Sequence, residues 1–302
     1  MIASKIKNVL NFMAAVIIIA LFLNGCGGRQ INKPGASNTL NSIASLQETP
    51  RAVHEDYEKL FTAVYFTVNM DRMRERMRSA TGKMTTAGPP ISPEQYLTFG
   101  ESEYVGGSVY TGSIGVNSVT GIHVVDEQLG GGLDRPIMGL QSSTDIPEFM
   151  MSLQGGKFEE FKSGSRSVSK GRMPEALNEC IVSEEFAMTA GLSVGDTLAL
   201  SSFLQDNDRN IKNIGYELTI VGIYRDSTSK YTSSANRNAY TNRRNEILTT
   251  FETVGASIPA GYTGARLAAT YYLKSPELLD KFTREAYAKG LDPVYDVVYA
   301  RN

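Results

Sequence analysis

The stretch "NECIVSEEFAMTAGLSVGDTLALSS", residues 178–202, constrains the fold more than any other, because it sets two β-forming runs either side of a helix of about two turns. Ile181 and Val182 favour a strand. Ser183 is placed to cap a helix from Glu184 to Ala190, and the two leading carboxylates sit at the positive end of its dipole. Gly191 supplies a left-handed stop, with Leu192 positioned to fold back onto the last turn. Val194-Gly195-Asp196-Thr197 then turns the chain into a strand over Leu198 to Leu200. The unit demands a sheet and contains no catalytic pattern.

The 302 residues, 41% of them apolar, are enough for one large core or two modest ones. A net charge of −2 excludes a general nucleic-acid binder, which carries a basic surplus. Two cysteines, Cys26 and Cys180, make no disulfide framework; Cys180, inside an apolar strand, reads as a small buried hydrophobe.

At the N-terminus, Lys5 and Lys7 precede an uncharged run from Asn8 to Gly28 centred on "FMAAVIIIALFL". This is a membrane-directed segment, and two readings of residues 1–28 stay open. The full run matches the roughly 20 residues of a transmembrane helix, whereas its apolar core matches the roughly 7–15 of a signal peptide. Leu23-Asn24-Gly25-Cys26 resembles a bacterial lipobox, which makes Cys26 the lipidation candidate. Either way the lysines stay inside, and the rest of the chain lies outside the cytoplasmic membrane.

Residues 29–52 lack periodicity and read as a tether. "LFTAVYFTVNM", 60–70, predicts a central strand covered on both faces. Ser92, Pro93 and Gln95 form a capping-box start to a short helix running to Phe99, and Tyr104 to Val125 reads as a Gly-rich β region. A short helix is expected near Asp145 to Leu153, a strand over "YELTIVGIYRD", and a long surface loop from Asp226 to Asn245. The end reads as a βαβ unit: the strand "ARLAATYYL", a helix opened by Ser275-Pro276-Glu277 with Leu278, Leu279, Phe282 and Ala286 on one face, a stop at Gly290, and the strand "VYDVVYA".

Enzyme signatures fail one by one. Gly82-Lys83 is followed by Met84 and lacks the earlier glycine of a phosphate-cradling loop. Gly106-Gly107-Ser108 continues with Val109-Tyr110 and breaks the serine-hydrolase elbow. His54 and His123 sit in no zinc spacing. "DNDRNIKNIGYE", 206–217, has acidic residues at calcium-loop spacing, but Ile211 stands where such loops need glycine, so a hairpin loop is the expectation. "DRMRERMR", 71–78, places arginines at alternate positions; as an extended strand it presents a basic face to anionic lipid or an acidic partner, or forms a protective solvated edge, the simpler reading.

Taken in order, Gly171-Arg172, Glu179 before an apolar strand, Ala187, Gly191-Leu192, Val194-Gly195-Asp196, Val221-Gly222-Ile223 and the closing βαβ pattern resemble the extracytoplasmic, MacB-like periplasmic core domain of MacB/FtsX-type ABC transporter permeases, over residues 53–299. The resemblance implies an α+β domain of two lobes: a βαβ-type lobe from 53–135 and 246–302, and a smaller β-rich lobe with its loop, 136–245, inserted between them. It also implies a non-enzymatic domain without cofactor or metal, partnered by a cytoplasmic ABC ATPase, a second permease copy and the membrane. Such permeases place one transmembrane helix before this domain and three after it. No later span follows here, so the front part of a permease and a separate lipoprotein binding a peptide or envelope protein both remain open.

Overall fold

The computed structural model describes residues 61–79, 88–127, 149–156, 158–206, 210–232, 237–259 and 261–300. They form an α+β arrangement around a ten-stranded sheet. In chain order the elements are β1 (Ala63–Val68), α1 (Met70–Ser79), α2 (Pro93–Gly100), β2 (Val105–Ser118), β3 (Met151–Gly156), α3 (Glu159–Lys162), β4 (Arg166–Gly171), β5 (Glu179–Ser183), α4 (Glu184–Ala190), β6 (Thr197–Gln205), β7 (Ile211–Asp226), β8 (Glu246–Thr249), α5 (Phe251–Ala256), β9 (Arg266–Leu273), α6 (Leu279–Ala288) and β10 (Tyr295–Tyr299). Along the sheet the order is β10-β1-β9-β2-β3-β8-β5-β7-β4, and β6 pairs with β2 and β7.

The last βαβ pattern folds with a strand inside it. β9 and β10 both run antiparallel to β1, so they are parallel to each other with β1 between them. Helix α6 buries Phe282 and Ala286 against Val64, Tyr271, Leu273 and Phe99, which form one hydrophobic cluster. A second cluster, built on Val116, Leu153, Val182, Phe186, Leu200, Leu218 and Ile247, fills the other end of the sheet. Both clusters draw on residues from before and after the middle of the chain, because β2 and β9 pair over most of their length and carry the sheet from one cluster to the other.

The local signals read from the sequence produce the local geometry. Ser183 Oγ accepts the Phe186 N–H, and Gly191 closes α4 at φ 68° with the Leu192 N–H donating to Ala187 O. Ser92 and Gln95 make both halves of a capping box at Pro93. Gly290, at φ 97°, follows the end of α6.

Several expectations are corrected. Residues 71–78 are helical, not extended: Asn69 Oδ1 accepts the N–H groups of Asp71 and Arg72, and Met73 is buried on the inner face. The arginines at alternate positions disguise methionines at 70, 73 and 77, which carry the helical spacing. Met151 to Leu153 belongs to a strand, not a helix, because Met151 and Leu153 are fully buried against β2 and β8; residues 145–148 lie outside the described residues. β2 ends at Ser118, short of Val125. β1 lies inside the sheet as expected, but its second face is covered unevenly: Ala63 is buried there while Tyr65 is exposed. Ser275 makes no side-chain cap, and a 3-10 turn over Pro276–Leu278 leads into α6 instead. The segment 226–245 is no simple surface loop, for Asp226, Ala239, Asn242, Arg244 and Asn245 are buried within it. The hairpin expected around 206–217 is present: β6 and β7 pair antiparallel from Thr197–Thr219 to Gln205–Ile211, and Asn210 donates to Asp206 across the turn.

Candidate functional site

Strand β7 is the longest in the sheet, and around its residues 219–222 the motif positions converge. The chain leaves β4 at Gly171, where φ is 73°, and the Arg172 N–H donates to Val221 O at 3.0 Å. A side chain at Gly171 would overlap that same Val221 carbonyl, and one at Gly222 would overlap Arg172 O, so two backbones cross where neither has room for a Cβ. On the other side, the Gly195 N–H donates to Ile220 O at 2.8 Å and the Ile220 N–H to Asp196 O at 2.9 Å, while Gly195 itself has φ 100°. Asp196 also stiffens its own turn, its carboxylate accepting the Ser193 N–H at 2.8 Å. The Thr219 N–H donates to Asn178 O, the residue that leads into β5.

Arg172 and Glu179 close this crossing. Arg172 Nη1 donates to Glu179 Oε2 at 2.7 Å and its Nη2 to Oε1, a two-pronged pair. Glu179 Oε2 also accepts the N–H groups of Glu175 and Ala176, each at 3.0 Å. The guanidinium and these two backbone donors hold the Glu179 carboxyl at a pKa of about 2. Ala187 is buried on α4, Gly191 terminates that helix, and Val194 is exposed at the turn. Thus Gly171, Arg172, Gly195 and Asp196 meet around one stretch of β7, whereas Ala187 and Gly191 shape the helix beside it. Cys26 lies outside the described residues.

This arrangement binds backbone to backbone. It presents no nucleophile with a base, and no group of three metal-ligating side chains occurs among the described residues. Cys180 is fully buried, and burial pushes its thiol well above the ordinary range, which leaves it inert. His123 is exposed and contacts Glu127 at 2.7 Å. Among the described residues no helix is long and apolar enough to cross a membrane.

Sequence reasoning missed a buried charge cluster beside the crossing. The Asp226 side chain is fully enclosed, with Arg166 Nε at 2.9 Å, Arg244 Nη1 at 3.1 Å and Thr228 N–H at 2.8 Å. Arg166 also reaches Glu246 at 2.6 Å and lies over the Tyr224 ring; Arg243 pairs with Glu160 and Arg244 with Glu185. Burial alone would raise the Asp226 pKa, but the Thr228 hydrogen bonds and the two guanidiniums outweigh it and hold the carboxyl below its usual range. The cluster ties β4, β7, β8 and the 226–245 segment together. Its sequence signal was the charge block "NRRNE" flanking an apolar strand, with an aspartate ending the strand before it.

No family model and no curated protein matches the chain. Among solved structures it is similar to the periplasmic region of MacB from Actinobacillus actinomycetemcomitans, at 12% identity and TM-score 0.37, over 79% of this chain and 88% of that one. It is similar also to a domain of a permease protein from Porphyromonas gingivalis, at 14% identity and TM-score 0.37, over 80% and 92%. A third is the extracellular domain of the noncanonic ABC-type transporter YknZ from Gram-positive bacteria, at 11% identity and TM-score 0.36, over 78% and 99%.

Proposed function

We propose that the chain is the non-catalytic extracytoplasmic domain of an ABC transporter permease of the MacB/FtsX type, tethered to the bacterial cytoplasmic membrane and linking a cytoplasmic ATPase to export or to an envelope partner. The observation that supports this reading is the crossing at β7. The residues on which the sequence resemblance rests, from Gly171 and Arg172 to Gly195 and Asp196, act there as a hydrogen-bonded joint. Such a fixed crossing suits a domain that passes motion along as a stiff body. In this reading residues 53–135 with 246–302 form one lobe and 136–245 the inserted one, the joint belongs to the inserted lobe, and a second permease copy works beside the first.

The alternative is a stand-alone lipoprotein that binds a peptide or envelope protein, and Leu23-Asn24-Gly25-Cys26 is the observation in its favour. Affinity capture of the native chain from detergent-solubilised membranes separates the two. Recovery of an ABC ATPase in constant proportion to the chain, with ATP hydrolysis in the purified complex, supports the transporter. A chain recovered without any ATPase, acylated at Cys26, overturns it.

A further inference from the structure

The two edges of the sheet differ. β4 is blunted in the usual way: its pairing with β7 is interrupted by a bulge between Val168 and Lys170, and Lys170 is exposed. β10 has no proline, lysine or bulge, and among the described residues β1 is its one neighbour in the sheet. Its single charge, Asp296, is already neutralised by Arg72.

The direction of the free backbone groups on β10 follows from its register. The Ala300 N–H donates to Ala63 O and the Asn69 N–H to Val294 O, both at 2.8 Å, and these two pairs lie on the same ladder as Val64–Tyr299 to Val68–Tyr295. Hydrogen-bonded pairs alternate in an antiparallel ladder, so Asp296 and Val298 bond to β1 while Tyr295, Val297 and Tyr299 turn their backbone groups away from it. The Tyr295 N–H is taken by Asp292 O in the preceding turn. The N–H and C=O of Val297 and Tyr299 have no backbone partner among the described residues; the Tyr295 C=O accepts the Tyr287 hydroxyl at 2.7 Å and keeps its second lone pair.

We propose that this edge pairs with β10 of a second copy of the chain, antiparallel and centred on Val297. In that register Val297 exchanges both hydrogen bonds with its counterpart, and each Tyr299 N–H becomes the second donor, beside the Tyr287 hydroxyl, to the Tyr295 C=O of the other copy. Every outward group except the Tyr299 C=O is then used. The side chains agree with the backbone: Tyr295-x-Val297-x-Tyr299 reads the same in both directions, so valine meets valine and each tyrosine meets a tyrosine. Both rings are already fixed, Tyr295 Oη donating to Pro89 O at 2.7 Å and Tyr299 Oη to Pro276 O at 2.5 Å. On the opposite face Asp296 meets Val298 of the other copy, so no like charges are opposed. An unrelated strand would satisfy the backbone but gains nothing from this palindrome. The inference does not depend on the transporter reading.

Cysteine cross-linking of the full chain in its native membranes tests the register. Cells co-expressing distinguishably tagged Asp296→Cys and Val298→Cys chains are oxidised mildly, with the parent chain, which retains Cys26 and Cys180, as baseline. Residues 296 and 298 of opposite copies form a non-hydrogen-bonded pair within disulfide reach, whereas two 298 positions are diagonal neighbours. The expected result is a mixed disulfide dimer at least about tenfold above either variant alone, abolished by adding Val297→Pro and retained with Val297→Ala. Val297→Pro removes an N–H that β1 does not use. No mixed dimer above the parent baseline, or equal yields from the mixed and single-variant membranes, overturns the proposal.

Discussion

Arg172 grips both carboxylate oxygens of Glu179 across the mouth of the β4–β5 connection, and the same carboxylate accepts two backbone N–H groups from the turn between them. The pair fastens that turn to β7. Because the folded carboxyl titrates near 2 against an ordinary 4.5, its stabilising contribution is complete above about pH 4.5 and is lost as pH falls toward 2. Replacing Arg172 by alanine is expected to lower the melting temperature at neutral pH and to shrink that difference as pH drops through this window. Thermal unfolding of the two proteins from pH 7 to pH 2 checks it; a difference that stays constant or grows would contradict the assignment.

Gly171 and Gly191 share a left-handed backbone but not the same surroundings. At Gly191, φ 68°, a Cβ meets nothing within 4 Å, so Gly191→Ala is expected to cost about 1 kcal/mol from the backbone alone. At Gly171 the Cβ would also overlap the Val221 carbonyl, which raises the expected cost above about 2 kcal/mol. Urea unfolding of both variants gives the comparison directly. Equal costs would show that the crossing at β7 has slack.

Phe282 is 1% exposed and lies 5.4 Å, ring to ring, from Tyr271 and 6.4 Å from Phe66. Phe282→Ala is expected to destabilise by about 3–5 kcal/mol. A neutral outcome in chemical denaturation would mean that α6 does not anchor the end of the sheet carrying β1, β9 and β10.

Asp226 is the hub of the buried charge cluster. Removing it as Asp226→Ala leaves Arg166 and Arg244 enclosed without their shared carboxylate, at an expected cost of about 3–5 kcal/mol. Since its folded pKa is depressed, the wild-type contribution is present above the ordinary carboxylate range and fades on acidification. Denaturation of the variant at pH 7 measures the loss, and a cost under 1 kcal/mol would show that the arginines find other partners.

Local chemistry was legible in the sequence where a single residue type has a single use. Ser183, Gly191, Ser92 with Gln95, and Gly290 all mark helix ends, because caps depend on groups only a few residues apart. Residues 71–78 misled because four arginines at alternate positions imitate a strand, while the helix is set by Asn69 and by the burial of Met73, a contact that forms only in the folded chain. The 226–245 segment misled for a related reason. Its Ser, Thr and Asn content suits a solvated loop equally well, and the partners that let Asp226 be buried, Arg166 some sixty residues earlier together with Arg244 and Thr228, come together only in the folded chain. The joint at β7 was half legible: the glycines and Asp196 announced turns, yet nothing local showed that Gly171 and Gly195 would bond to neighbouring residues of one strand.

The most direct test of the permease reading is the intact mass of the native protein extracted from its membranes, since one spectrum reports acylation and chain extent together. The account predicts an unacylated chain that retains Met1 to Gly25 as part of a membrane helix and is heavier than residues 1–302 alone. A mass equal to residues 26–302 plus acyl chains on Cys26 would contradict it and make the protein a tethered lipoprotein.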